Sequence, residues 1–196
     1  MGLDLVKLSV GPADNNAYLL RCTDTDDQVL IDAANEPDRL LELVGDRGLT
    51  AVITTHRHAD HWQALAPVLA ATGARAIAHP DDAVALPVPT EPVVDGDVIP
   101  VGTCDLEVIH LVGHTPGSIA LLYRADLLLF TGDSLFPGGV GNTFGSAANF
   151  ASLIHDVETK LFDRLPDETR VHPGHGADTT LGTERPSLPD WRARGW

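Results

Sequence analysis

Six consecutive residues, His56-Arg57-His58-Ala59-Asp60-His61, hold four side chains able to ligate a metal, directly after the apolar run Ala51–Thr54. In an extended segment, side chains two apart point the same way, so His56 and His58 can converge on one point. Asp60 and His61 fall where the chain turns into the next helix. A carboxylate is favoured at such a helix N-terminus and can face a second point close by. Imidazole and carboxylate ligands suit zinc, and iron or manganese fits the same donor set. The bland alternative, a solvated capping turn, has no use for three histidines.

Three further pieces follow, each at the end of an apolar strand-like run. His114 sits in Gly113-His114-Thr115-Pro116-Gly117-Ser118, where Pro116-Gly117 is strong turn chemistry that fixes how the imidazole is presented. Asp133 follows Leu127–Leu129 in Phe130-Thr131-Gly132-Asp133-Ser134; alone, it fits a turn former or helix cap as well as a ligand. His175 lies in His172-Pro173-Gly174-His175-Gly176, and its flanking glycines are expected to leave the ring unhindered. His79, His110, His155 and His172 read as structural histidines.

The elements that must position these groups come in two similar halves. Strand-like runs at Leu5–Val10, Ala17–Cys22 and Gln28–Asp32 are separated by turn-rich pieces, including Gly11 to Asn16. A helix is predicted from Pro37 to about Val44, and a second carries Leu65, Val68 and Leu69 and stops at Gly73. The second half has strand-like runs at Ala76–Ala78, Val98–Val101, Leu106–Leu111, Ser118–Tyr123 and Leu127–Thr131. A glycine-rich loop, an amphipathic helix with Phe150, Leu153, Ile154, Val157 and Leu161 on one stripe, and a short strand ending near Val171 complete it. Strand clusters followed by helices, twice over, suggest two sheets face to face with helices outside.

With 196 residues, 43% of them hydrophobic, the chain suits one domain spanning residues 1–196. The net charge of −15 repels phosphate backbones and anionic lipid, so nucleic acid and membranes are poor partners. The N-terminal Met1-Gly2-Leu3-Asp4-Leu5 does not resemble a secretory signal, and a cytoplasmic location is expected. Cys22 and Cys104 sit in separate strand-like runs and read as small buried hydrophobes, neither in a polar cluster of the kind that lowers a thiol pKa.

Taken in order, the H-x-H-x-D-H motif, His114, Asp133 and His175 resemble the metallo-β-lactamase superfamily, from Ala17-Tyr18-Leu19-Leu20 to Pro173-Gly174-His175-Gly176. The resemblance implies an α/β fold, an αββα sandwich of two mixed sheets with helices on the outer faces. It implies that His56, His58 and His114 hold one divalent metal, that Asp60, His61 and His175 hold a second, and that Asp133 bridges both. Zinc is the expected metal, with iron or manganese as alternatives. Asp32 matches a structural aspartate that supports the metal loop. Gly113 to Ser118, Thr131 to Phe136, Pro137 to Asn142 and His175 to Thr180 are similar to the short glyoxalase II-like branch. The implied activity is hydrolysis of an acyl (lactoyl) thioester of a small thiol, with Asp60 orienting the attacking water and taking its proton.

Three alternatives stay open. An iron-dependent persulfide dioxygenase shares the scaffold, but usually carries an arginine and an acidic residue where this chain has Asn142-Thr143-Phe144. A lactonase or other ester hydrolase would use the same site, and so would a metal-binding protein without turnover. The tail after His175, about 20 residues closing in Trp191 and Trp196, is too short to bury its own core and is expected to pack on the domain. Its Arg185, Arg192 and Arg194 are candidates for a basic patch facing an anionic thiol.

Overall fold

The computed structural model describes residues 2–195, so Met1 and Trp196 lie outside the described residues. Strands β1 (Leu3–Val10), β2 (Asn15–Cys22) and β3 (Gln28–Ile31) form an antiparallel meander. Helix α1 (Pro37–Val44) then carries the chain to β4 (Ala51–Ile53), parallel to β3. Helix α2 (Leu65–Thr72) carries it to β5 (Arg75–Ala78), and α3 (Pro80–Ala83) precedes the short β6 (Glu91–Pro92). Parallel pairing requires such crossovers, and the amphipathic α1 supplies the first. Gly73 ends α2 in the left-handed region (φ 68°), which a side chain would disfavour.

The second sheet starts as the antiparallel run β7 (Val98–Val101), β8 (Cys104–His110), β9 (Ile119–Tyr123) and β10 (Leu128–Gly132). A two-stranded hairpin, β11 (Leu135–Phe136) with β12 (Gly139–Val140), follows inside the glycine-rich stretch. Helix α4 (Ala147–Asp156) continues into a π turn at Val157–Phe162. The chain returns as β13 (Arg170–Pro173), parallel to β10, and β14 (Thr179–Thr180) closes that edge. Helices α5 (Leu181–Glu184) and α6 (Leu188–Arg194) complete the described chain.

Three apolar layers follow from the strand alternation. Tyr18, Leu20, Ile31, Ile53, Leu106 and Phe130 fill the space between the sheets. Leu30, Leu40, Val44, Val52, Leu65 and Val68 join α1 and α2 to the outer face of the first sheet. Leu122, Leu129, Phe150, Leu153, Leu161 and Trp191 join α4 and α6 to the second. The architecture is therefore αββα with two mixed sheets.

Two local readings need correction. Asn15 and Asn16, taken with the preceding turn, open β2, because both side chains are held: Asn16 donates to the Pro173 carbonyl of the opposite sheet (2.8 Å) and Asn15 to Asp60 in the loop after β4. The glycine-rich stretch is partly a hairpin, pinned where the Gly138 amide donates to Glu184.

Candidate metal centre

One end of the sandwich collects the strand ends that matter. β4 runs into Thr54-Thr55-His56, β10 into Asp133 and β13 into Gly174-His175, while β2 starts there at Asn15. Backbone bonds across the sheets lock these ends together: Ile119 N–H to Thr55 O (2.9 Å), Asn16 N–H to Gly174 O (2.7 Å) and Gly174 N–H to Gly132 O (2.8 Å). The seven side chains singled out in the sequence all meet at this end. The donor atoms of His56, His58 and His114 form one cluster and those of Asp60, His61 and His175 another. Those of His56, His61 and Asp133 form a third between them, each cluster within 4.8 Å.

Hydrogen bonds on the far side of the rings decide which nitrogens face the centre. His114 Nδ1–H donates to the Asn142 carbonyl (2.8 Å), His61 Nδ1–H to Asp32 (2.8 Å) and His175 Nδ1–H to the Ala13 carbonyl (2.9 Å). With those nitrogens protonated, each inward-facing Nε2 presents a lone pair in the neutral ring. These nitrogens crowd one another: His61 Nε2 lies 3.2 Å from that of His175, and His114 Nε2 lies 2.8 Å from His58 Nδ1 and 3.3 Å from His56 Nε2. Lone pairs at such spacing repel unless a proton or a metal cation lies between them.

Asp133 sits between the clusters. One oxygen is 3.4 Å from His61 Nε2, and the other is 3.7 Å from His114 Nε2 and 3.5 Å from His175 Nε2. Its Oδ1 is buried without a hydrogen-bond partner, which is costly for an anionic oxygen that nothing coordinates. The donor set and this orphaned oxygen both fit a pair of divalent metals. Titration separates the two histidine groups, with His175 raised beside Asp133. Burial and neighbouring imidazoles hold His56 well below the usual range, and burial also lowers His58 and His114. At His61 burial acts downward, but Asp32 and Asp133 outweigh it and lift the pKa to about 10. Burial would raise Asp133, yet the His175 and His61 rings beside it keep it ionised.

Several supporting groups escaped the sequence reading. Buried Asp82 accepts from the Arg57 amide (3.0 Å) and Gly117 amide (3.0 Å) and from the Thr115 hydroxyl (2.5 Å), tying the H-x-H loop to the His114 loop. It stands in Pro80-Asp81-Asp82, which reads as an ordinary helix start. Asn15 Nδ2 donates to Asp60 Oδ2 (3.0 Å), and after burial, which acts upward, that bond lowers the Asp60 pKa. Asp32, which the resemblance did assign to support of the metal loop, accepts from the Thr55 amide and hydroxyl (both 2.8 Å) as well as from His61. Phe144, 67% exposed, lies against His58 and His114 with ring centroids 5.5 and 5.9 Å away.

Gly174 also has a different reason from the one expected. A Cβ there would stand 2.2 Å from Asp133 Oδ1 and 2.7 Å from His61 Cε1, so glycine lets the β13 end approach the centre. Of the other histidines, His79 caps α3 by accepting from the Asp81 amide and stacks on His110 at 4.0 Å. His110 Nε2–H donates to the Pro116 carbonyl, bracing the His114 loop. His172 bonds Asp178 and stacks on Phe130, and His155 is exposed on α4.

Residues 10–175 match the family described as the metallo-beta-lactamase superfamily. A hydroxyacylglutathione hydrolase of Rhodobacter capsulatus is 39% identical over 83% of this chain, which spans 62% of that enzyme's length. Among solved structures, TTHA1623 in a di-iron-bound form is 36% identical, with a TM-score of 0.76 over 92% of this chain and 96% of that one. ETHE1 from Myxococcus xanthus is 32% identical, with a TM-score of 0.85 over 97% of this chain and 85% of that one.

Proposed function

Since the chain belongs to the metallo-β-lactamase superfamily, we propose that it is a dinuclear metal-dependent hydrolase, formed by a single domain over residues 1–196, that cleaves an acyl thioester of a small thiol. His56, His58 and His114 would hold one metal and Asp60, His61 and His175 the other, with the Asp133 carboxylate available to both. The observation that carries this is the convergence of the donor atoms of seven side chains in three overlapping clusters, each within 4.8 Å. The likeness to a hydroxyacylglutathione hydrolase supports the choice of reaction.

Bound there, divalent metals lower the pKa of water from 15.7 to about 7 and polarise a carbonyl. The chain's own residues do the rest. Asn15 holds the Asp60 carboxylate in one orientation, where it directs water toward the acyl carbon and accepts the proton. A cavity of about 440 Å³ beside His58 and His114, lined also by Arg57, Thr115, Phe144 and Asn149, receives the acyl group. A thiolate leaves readily, so no dedicated general acid is required. Among the described residues no helix is long and apolar enough to cross a membrane, and small-thiol thioesters suit an enzyme of the reducing cytoplasm.

The test is hydrolysis of a panel of lactoyl thioesters, lactones and glutathione persulfide by zinc-loaded protein without oxygen. Thioester cleavage that survives replacement of iron by zinc is expected. Strict need for iron and oxygen, with sulfite as product, would move the protein to persulfide oxidation.

A further inference from the structure

The two cysteines meet at the end of the sandwich opposite the metal centre. Cys22 ends β2, whose first residue, Asn15, touches Asp60. Seven steps along the eight-residue strand put the two ends about 23 Å apart. Cys104 starts β8 in the other sheet, so the pair faces across the inter-sheet core, Sγ to Sγ 4.0 Å, with the Cys104 thiol donating to the Cys22 sulfur. The β7–β8 turn rides on Cys22 so closely that a Cβ on Gly102 would lie 2.8 Å from its Sγ.

We propose that Cys22 and Cys104 form an oxidisable dithiol that closes a reversible inter-sheet disulfide when a small hydroperoxide reaches it. A disulfide needs about 2.05 Å between sulfurs, so about 2 Å of approach is required. The two thiols are differentiated. The Thr103 hydroxyl (3.4 Å), the Thr25 hydroxyl and nearby amides pull the Cys22 thiol down to about 6, whereas burial pushes Cys104 up. This corrects the reading that neither cysteine lies in a polar cluster: Thr25 and Thr103 approach Cys22 only in the fold. A low thiol pKa makes Cys22 the attacking sulfur. Both thiols are buried, but Cys22 lies under the exposed Thr25 and Thr103, and a cavity of about 300 Å³ lined by Thr103, Cys104 and Tyr123 opens at its partner.

The Cys22 thiolate attacks one peroxide oxygen. The O–O bond breaks, an S–O bond forms, and the departing oxygen leaves as water or alcohol after taking a proton. Cys104 then gives its proton to the sulfenic oxygen and attacks the Cys22 sulfur; the S–S bond forms as the S–O bond breaks and water leaves. Two electrons pass from the sulfurs to the peroxide. In a reducing compartment the resting state is the dithiol.

The experiment treats zinc-loaded protein with hydrogen peroxide, blocks free thiols, and measures intact mass and a non-reducing peptide map. Expected are the loss of two hydrogens, a linked Cys22–Cys104 peptide, reversal by dithiothreitol and an unchanged zinc content. The link should also raise the melting temperature, because it constrains the unfolded chain across 82 positions. Cys22→Ser and Cys104→Ser should each lose no hydrogens and show no melting shift. Oxygen added to Cys22 without a linked peptide, a disulfide between two chains, thiols that stay reduced, or a linked protein that melts no higher would overturn the proposal.

Discussion

At the scale of single residues, the centre depends as much on partners outside the ligand set as on the ligands. Asp82 replaces three missing contacts between two loops that share no backbone ladder. Asp82→Ala leaves the Arg57 and Gly117 amides without their acceptor and the Thr115 hydroxyl with Ser118 alone, and a loss of about 3 kcal/mol is expected from the cost of unsatisfied buried groups. Denaturant unfolding measures the stability, and zinc titration should show affinity lowered about 10- to 100-fold. Asp133→Ala should drop the metal content from two ions to one or none by elemental analysis, and full occupancy would refute its shared role. The metal-free centre carries a proton that a metal must displace, because His61 titrates near 10 and Asp133 also raises His175. Below that pKa the proton competes, so zinc should bind more tightly as pH rises, with net proton release near pH 7. Calorimetry in buffers of different ionisation enthalpy checks the sign, and proton uptake would contradict it.

At the scale of elements, the site is a set of strand ends brought to one level. β10 and β13 pair in parallel and finish together, so Asp133 and Gly174 are neighbours, and the Gly174 amide bonds the Gly132 carbonyl. Gly174→Ala is expected to cost about 1–3 kcal/mol as an overpacking change, since backbone and Asp133 must both give way. The melting temperature and metal content should fall together. A variant with wild-type metal content would show that the β13 end has slack. The Asn15–Asp60 bond works at the same scale, because β2 must enter the sheet at Asn15 for the amide to reach across. Asn15→Ala should keep both metals and lower kcat about tenfold, with little change in KM.

At the scale of the whole molecule, charge and tail bear on the thiol carrier. The net charge of −15 disfavours an anionic tripeptide. The tail arginines do not form an open basic patch: Arg185 bonds Asp167 and the Phe162 carbonyl, Arg192 pairs with Glu158, and Arg194 reaches the Gly138 carbonyl. Trp191, 1% exposed, buries α6 against Phe162 in the outer core of the second sheet. Slow hydrolysis of S-lactoylglutathione with KM above about 1 mM, and a better rate with another acyl thiol, is therefore expected. Fast turnover saturating at micromolar S-lactoylglutathione would show a glutathione site that these contacts do not suggest.

The H-x-H-x-D-H donors and most strands could be read from the chain by short-range rules: continuous apolar runs for β3 and β4, a helical stripe for α4, the Pro116-Gly117 turn after His114; the place of Asp133 in the set came from the family resemblance. The same rules could not reveal Asp82, Asn15 or the reason for Gly174. Each acts on a partner tens of residues away, and the pairing of strands within each sheet and the packing of one sheet on the other set those distances. Nor could they pair Cys22 with Cys104, which are 82 positions apart and become neighbours only when the β7–β8 turn closes over the end of β2. Local sequence determined which groups could bind a metal. Tertiary structure decided which nitrogen His61, His114 and His175 turn inward, because that follows from the carbonyl or carboxylate waiting behind each of those rings.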